Sequence, residues 1–356
     1  MIPKHHRRRQ VLALCAIGAI SGTLLAGFLW SADVIGSRTT SKTFLGDSLV
    51  HFEPGYRRAH GKGMCFVGTF RSSGDAAGLS SARVFSQLEV PAIGRFSLGS
   101  GDPHAANGST KTLGMALMLG ADDHTQWRMK MNNIPYFPTH DPEGFLAQRE
   151  ALQPVAETGQ PDPAKVAAFL KAYPEARKDL ERRANAPYPA SFAGVQYNSV
   201  NAFILLAADG SHQPVRWSMR PHAPFEALSD EQRQHAEHDY LFSEIASRVT
   251  QGPLSWDLVL QLAQPGDAID DPSQPWPQDR QNVVAGTLAI TQVYPQELGG
   301  CRDINFDPTL VPPGIALSND PVLAARAGIY AQSYNARLRE VGFGQVSTAV
   351  GKEPRP

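Results

Sequence analysis

Apolar residues along this chain fall mostly in short strand-like runs, with three well-marked helices between and after them. Strand patterns cover 62 to 70 and 88 to 98, and 113 to 137 adds two more, "LGMALMLG" and "WRMKMNNIPYF". Further runs lie at 192 to 207, 214 to 219 and 283 to 293, with "DGS" at 209 to 211 as a turn. In "LSWDLVLQL" the residues Leu254, Trp256, Leu258, Leu260 and Leu262 alternate strictly, which buries one face of a strand. Asp162 and Pro163 open a helix as N-cap and first-turn proline, and Pro174 breaks it. "SDEQ" at 229 to 232 is a capping box, starting a helix that should run to about Gly252. Asp320 and Pro321 open the final helix, with Gly342 as its expected stop. Strands in the middle and helices late predict an α+β fold on a large antiparallel sheet or barrel.

Composition changes this picture little. A net charge of -1 gives no support to nucleic-acid binding, which needs a basic face, so no nucleic-acid partner is expected. The N-terminus reads as an address. "KHHRRRQ" precedes 20 uncharged residues, a length between a signal core and a spanning helix. "RRQVL" has the form of a twin-arginine signal, and "LWSA" before Asp33 offers a small-residue cleavage site. Residues 1–32 are therefore expected to be a signal or membrane anchor, 33–44 a linker, 45–347 the folded domain and 348–356 a tail. The expected location is the periplasm, soluble or tethered to the inner membrane. Cys15 lies in the apolar segment, and Cys65 and Cys301 have no CxxC partner. A disulfide requires that these two meet; buried free thiols are the expectation.

Candidate chemistry gathers at two places. In "YRRAHGKGMCFVGTF", residues 56 to 70, His60 stands at the mouth of an apolar strand, after two arginines and before Gly-Lys-Gly. Alone it fits a core histidine as well as a catalyst. On the final helix Arg326, Tyr330 and Arg337 fall within about 40° of one another at roughly 100° per residue. That stripe is either a solvated face with an incidental aromatic or an iron site, since guanidinium charge favours a phenolate and tyrosinate is a known axial ligand of haem. His235 and His238 in "HAEH" are more simply a polar helix face than a metal site.

Taken together these segments resemble the mono-functional haem catalase superfamily, in its short branch of catalase-related peroxidases. "RRAHGKG" resembles the distal histidine motif, "GRFSLG" the segment after it, and "NNIPYFPTHDPEGF" the distal asparagine run. "NFDPTLVPPGI" and "RAGIY" resemble the proximal signature, so the likeness spans roughly residues 45 to 342. The resemblance implies a catalase-like antiparallel β-barrel core with surrounding helices, and haem b buried between barrel and C-terminal helix. It implies His60 as distal acid/base, Asn132 as the amide that orients peroxide, and Ser97 as the group holding the histidine ring. Phe145 would stack on the porphyrin, and Tyr330 would be the proximal ligand with Arg326 bonded to its oxygen. Arg57, Arg95 and Arg337 would bind the propionates.

The resemblance implies a haem peroxidase that reduces hydrogen peroxide or organic peroxides with a small organic donor. Counting from Ser97, Lys111 falls where full-size members carry an aspartate in the main channel, and Gly99 where they carry a narrowing valine. Tyr334 replaces a histidine common after the proximal tyrosine. These contrasts, with the expected lack of the long N-terminal arm and extended C-terminal helices of full-size members, argue for at most weak catalase activity and leave monomer and dimer both open. The competing readings are a non-catalytic haem carrier or sensor, and a hydroperoxide isomerase of the allene oxide synthase kind. An acid/base set above the iron favours the peroxidase, because a carrier has no use for one.

Overall fold

The computed structural model describes residues 18, 20–23, 53–120 and 125–350. The leader and the linker expected at the N-terminus lie outside these residues, apart from 18 and 20–23, which are helical. No helix among the described residues is long and apolar enough to cross a membrane.

Eight antiparallel strands close into a barrel. Gly63–Ser72 (β1), Glu89–Leu98 (β2), Leu113–Leu119 (β3) and Trp127–Asn132 (β4) follow one another in space as in sequence. Tyr197–Asn198, His212–Pro221, Leu254–Leu262 and Asn282–Pro295 continue the ring, and the last pairs with β1. Alternation decides what the barrel encloses. Phe66, Phe70, Phe96, Trp127, Tyr197 and Trp256 fill the interior, nearly or wholly buried. Each such side chain contributes roughly 1.5–3 kcal/mol on leaving water. Their polar tips are satisfied where they bond backbone: Tyr197 Oη donates to Phe192 O at 3.0 Å and Trp256 Nε1 to Val195 O at 3.1 Å. In β4, Trp127, Met129 and Met131 point inward, so Arg128, Lys130 and Asn132 stand on the outer face.

Helices pack around the barrel. Asp162 caps Pro163–Ala172 through Ala164 N, and Asp320 caps the final helix through Val322 N and Leu323 N. The helix expected from 229 to 252 is two, Asp230–His235 and Tyr240–Val249. Between them the chain bonds outward: His238 O accepts from Asn107 N at 2.8 Å and Asp239 pairs with Lys62. The final helix passes through Gly342 and runs from Pro321 to Val350, because glycine permits a stop without compelling one. Pro142–Ala151 is a further helix, capped by Asp141 through Gly144 N. Its Asp-Pro start repeats that of the two capped helices and was a legible signal.

The expectation of two free thiols is wrong. Cys65 and Cys301 form a disulfide with their Cα atoms 5.6 Å apart. Cys65 lies on the outer face of β1, and the barrel's closure brings it to the Gly300–Arg302 turn, beside Ala116 and Phe306.

Candidate active site

A cavity of about 410 Å³ lies between the outer face of the barrel and the final helix. Cross-strand register builds the barrel wall in two rows. Ser97 of β2, Gly114 of β3 and Asn132 of β4 form one row; Arg95, Ala116 and Lys130 form the next. His60 reaches the same place from the segment before β1, held in a left-handed backbone conformation at φ 56°. For a residue other than glycine that is a strained state, and strain of this kind collects at functional sites. Ser97 Oγ lies 3.1 Å from His60 Nδ1. Glycine at 114 leaves room for this convergence: a Cβ there would stand 2.5 Å from Lys130 Nζ, 2.9 Å from Ser97 Oγ and 3.0 Å from His60 Cε1, so these side chains would have to shift. Three side chains thus converge over one bare stretch of backbone.

The helix wall carries the stripe seen in the sequence. Arg326 Nη2 donates to Tyr330 Oη at 3.1 Å, and Arg326 Nη1 donates to Asn201 Oδ1 at 2.6 Å. Arg337 lies two turns on, 3% exposed, with Nε and Nη2 lacking a partner among the described residues. Glu340 ties this helix to the histidine segment by accepting from Gly55 N at 2.8 Å and from Arg58. Arg57 enters from that segment and is fixed by three carbonyls, donating to Cys301 O, Arg302 O and Ile304 O at 3.2, 3.1 and 2.8 Å. Phe145 and Phe306 add aromatic walls.

The electrostatics are one-sided. No carboxylate lines the cavity among the described residues. Burial, then Arg337, pulls Arg57 down to about 9. Burial, then Arg57 and Arg337, lowers Arg95, whose guanidinium rests on Gln296 Oε1 and Gly61 O. His60 is held well below its usual value by burial, then by Lys130 and Arg95, so its imidazole is neutral.

His60, Arg57, Arg95, Phe145, Tyr330 and Arg337 all line the cavity. Ser97 and Asn132 are not among the lining residues but stand in the adjoining row on the same barrel face: Ser97 touches the histidine, and Asn132 Oδ1 accepts from Ile134 N at 2.8 Å. Arg326 likewise acts through Tyr330. Lys111 does not face the cavity; its Nζ donates to Arg183 O and Ala184 O, both at 3.0 Å, capping the helix Ala176–Asn185. Gly99 does line it, but a Cβ there would meet Thr112 Cβ at 2.6 Å. The helix break separates His235 from His238, and no group of three metal-ligating side chains occurs among the described residues. Lys130, Arg149 and Phe306 are cavity residues that sequence reasoning missed. For Lys130 the signal existed, since "WRMKMN" alternates and puts Lys130 on the face of Asn132.

The family model described as Catalase matches residues 32–351. A catalase-related peroxidase of Synechococcus elongatus is 37% identical over 285 residues, covering 80% of this chain and 84% of that protein. Another, from Mycolicibacterium paratuberculosis, is 36% identical over 287 residues, covering 80% and 90%. Among solved structures, a bacterial catalase superposes with a TM-score of 0.71 at 20% identity, over 85% of this chain and 62% of that one. A fungal catalase gives the same TM-score at 20% identity, over 85% and 64%. This chain thus spans less than two thirds of those structures, and the likeness to them is one of fold.

Proposed function

The chain belongs to the catalase family, and from that premise we propose that it is a haem peroxidase, reducing hydrogen peroxide or organic peroxides with a small organic donor. The observation that carries the reading is the neutral His60, braced by Ser97, facing Tyr330, itself bonded by Arg326, across one cavity.

The residues present fit haem b. The cavity volume is in the range of cofactor sites, about 300–1,000 Å³. Flat aromatic side chains suit a porphyrin, and the phenolic oxygen of Tyr330 is a ligand of the kind that holds ferric haem iron. The orphaned Nε and Nη2 of Arg337, with Arg57 and Arg95 beside it, form an unneutralised cationic edge suited to two propionates. Bound there, haem supplies the redox chemistry of O–O cleavage.

The chain's own residues supply the proton handling. Ser97 occupies Nδ1 of His60, which leaves Nε2 to take a proton from peroxide and return it to the departing oxygen. Neutrality of the imidazole makes it a competent acceptor at neutral pH. The amide of Asn132, anchored through its oxygen by Ile134 N, keeps its NH₂ free to donate without adding charge. Support for peroxidase over catalase turnover comes from the two positions that depart from full-size members, Gly99 on the cavity wall and Lys111 turned away to a helix end, with no carboxylate among the lining residues described. The test is turnover of peroxide by the haem-loaded protein with and without a phenolic donor. Oxygen evolution should be modest and fall as donor is added, while donor oxidation rises. Full catalase rates with every donor ignored would overturn the reading.

Export to the periplasm is part of the proposal. Its supports are the basic, twin-arginine-like leader and the Cys65–Cys301 disulfide, which persists more readily outside a reducing cytosol.

A further inference from the structure

Lys130 has no part in the chemistry described so far. It stands on the cavity wall between Ala116 and the final helix, two residues before Asn132 on the same strand face. Its hydrogen bond is a local one: Nζ donates to Met131 O, the carbonyl of the next residue, at 3.1 Å. An amine nitrogen carries at least two hydrogens, so this contact leaves one or more for another acceptor. No carboxylate lining the cavity among the described residues offers one, and burial, then Arg326, Arg95 and Arg57, holds the amine well below the usual lysine range, so an entering anion is what would favour its charged form.

Packing does not explain a lysine here. The fold gains nothing from a further basic group beside five cavity-lining arginines and no acids, and an apolar chain of the same length would avoid the cost of burying it. What the position does provide is proximity. Lys130 Nζ, Ser97 Oγ and His60 Cε1 all lie within 3.0 Å of the point where a Cβ at residue 114 would be, and Gly114 keeps that point clear.

We propose that Lys130 is a ligand-binding residue of the distal pocket, donating from Nζ to the small acceptor atom that His60 also faces, so that the site selects small anions and their conjugate acids, peroxide among them. A donor fixed on the barrel wall meets the oxygen that gathers negative charge when His60 moves the proton. The cationic neighbours repel a second cation there and favour any anion that enters. The same donor does little for an uncharged ligand that accepts hydrogen bonds weakly, because such a ligand leaves the amine unpaired.

The inference rests on the haem reading, and the experiment separates the two. The ferric, haem-loaded protein is titrated with fluoride by absorption, and the reduced protein with carbon monoxide, which carries no charge. Lys130→Met should weaken fluoride binding about 10- to 100-fold, the worth of one hydrogen bond to a charged group, and leave carbon monoxide affinity unchanged. Lys130→Arg, which restores charge and donors, should recover part of the loss. Wild-type protein that takes up no haem would sink the haem reading itself. Wild-type protein that loads haem, with fluoride affinity unchanged in Lys130→Met or with both ligands weakened equally, overturns the inference alone. Where Lys130→Met fails to hold haem, Lys130→Gln gives the same readout, and failure of both would show a structural role and overturn it too.

Discussion

Arg326 Nη2 donates to the phenolic oxygen of Tyr330 across 3.1 Å, between successive turns of one helix, while its Nη1 is pinned by Asn201 Oδ1. Asn201 is in turn held by Asp320, the residue that caps the same helix. The start of the helix, the guanidinium and the phenol are therefore one bonded unit. Tyr330→Phe should lose most of the haem or shift its spectrum sharply. Arg326→Leu should retain haem with altered ferric absorption bands, because the phenol oxygen loses its fixed positive neighbour. Unchanged haem content and spectrum in Tyr330→Phe would refute the assignment.

His60→Ala should keep haem yet slow the first reaction with peroxide by about 10² or more, the contribution of a positioned general base. Ser97→Ala removes one hydrogen bond from the ring and should cost about fivefold. The pH profile carries a sign. His60 is depressed below the usual value of 6.5, so it stays neutral through that pH and protonates only well below it. The acid limb of kcat/KM should therefore lie below pH 6.5; a limb at or above that value would mean another base.

The arginine edge should stabilise the loaded protein and burden the empty one. Arg57 falls to about 9 on folding, well below the usual arginine value, so the haem-free fold bears its cost in full below pH 9 and is relieved as pH rises from there. Arg337 is buried with two unpartnered donors. Arg337→Met should raise the melting temperature of the haem-free protein while speeding haem loss from the loaded one. Reconstitution with a haem dimethyl ester should mimic that loss. Parallel effects of Arg337→Met on both forms would argue against a carboxylate partner.

The disulfide bridges residues 236 apart and ends in the turn whose carbonyls hold Arg57. Cys65→Ser, or reduction, should destabilise the protein by about 2–4 kcal/mol, as removal of a native disulfide commonly does. Haem retention should fall with it, since the clamp on Arg57 loosens. Melting and haem transfer to a scavenger protein, each with and without reductant, provide the measurement. Equal melting temperatures would show that the bond is incidental to the fold.

Replacing Arg8 and Arg9 with lysine should leave the protein in the cytosol. Fractionation against soluble and membrane markers reads this directly, and normal export of the double variant would point to another route.

Strand alternation alone placed most of the barrel. Its capped helices were equally plain, because an aspartate followed by proline supplies both an acceptor and a preset φ. Two helix ends escaped. At 236–239 the chain prefers bonds to Asn107 and Lys62, and at Gly342 local sequence permits two outcomes. The motifs named His60, Tyr330 and the arginines, each sitting in a recognisable run. Lys130 was passed over because a charged residue on an outward strand face ordinarily meets water; here it meets a helix.

What the sequence by itself determined is the set of faces: which residues of β2 and β4 point out, which side of the last helix carries Arg326, Tyr330 and Arg337, and where helices begin. These follow from local geometry, with periods near two and 3.6 residues. Closure of the barrel decided the rest. It brought Cys65 to Cys301 across 236 residues, set Ser97, Gly114 and Asn132 in one row, and laid the final helix over them. Lys111 went to a helix end and Lys130 to the cavity, although both are lysines beside apolar strands. Which of two such residues becomes part of a site depends on what packs over it, and that is a contact between segments distant in the chain, which no local period encodes.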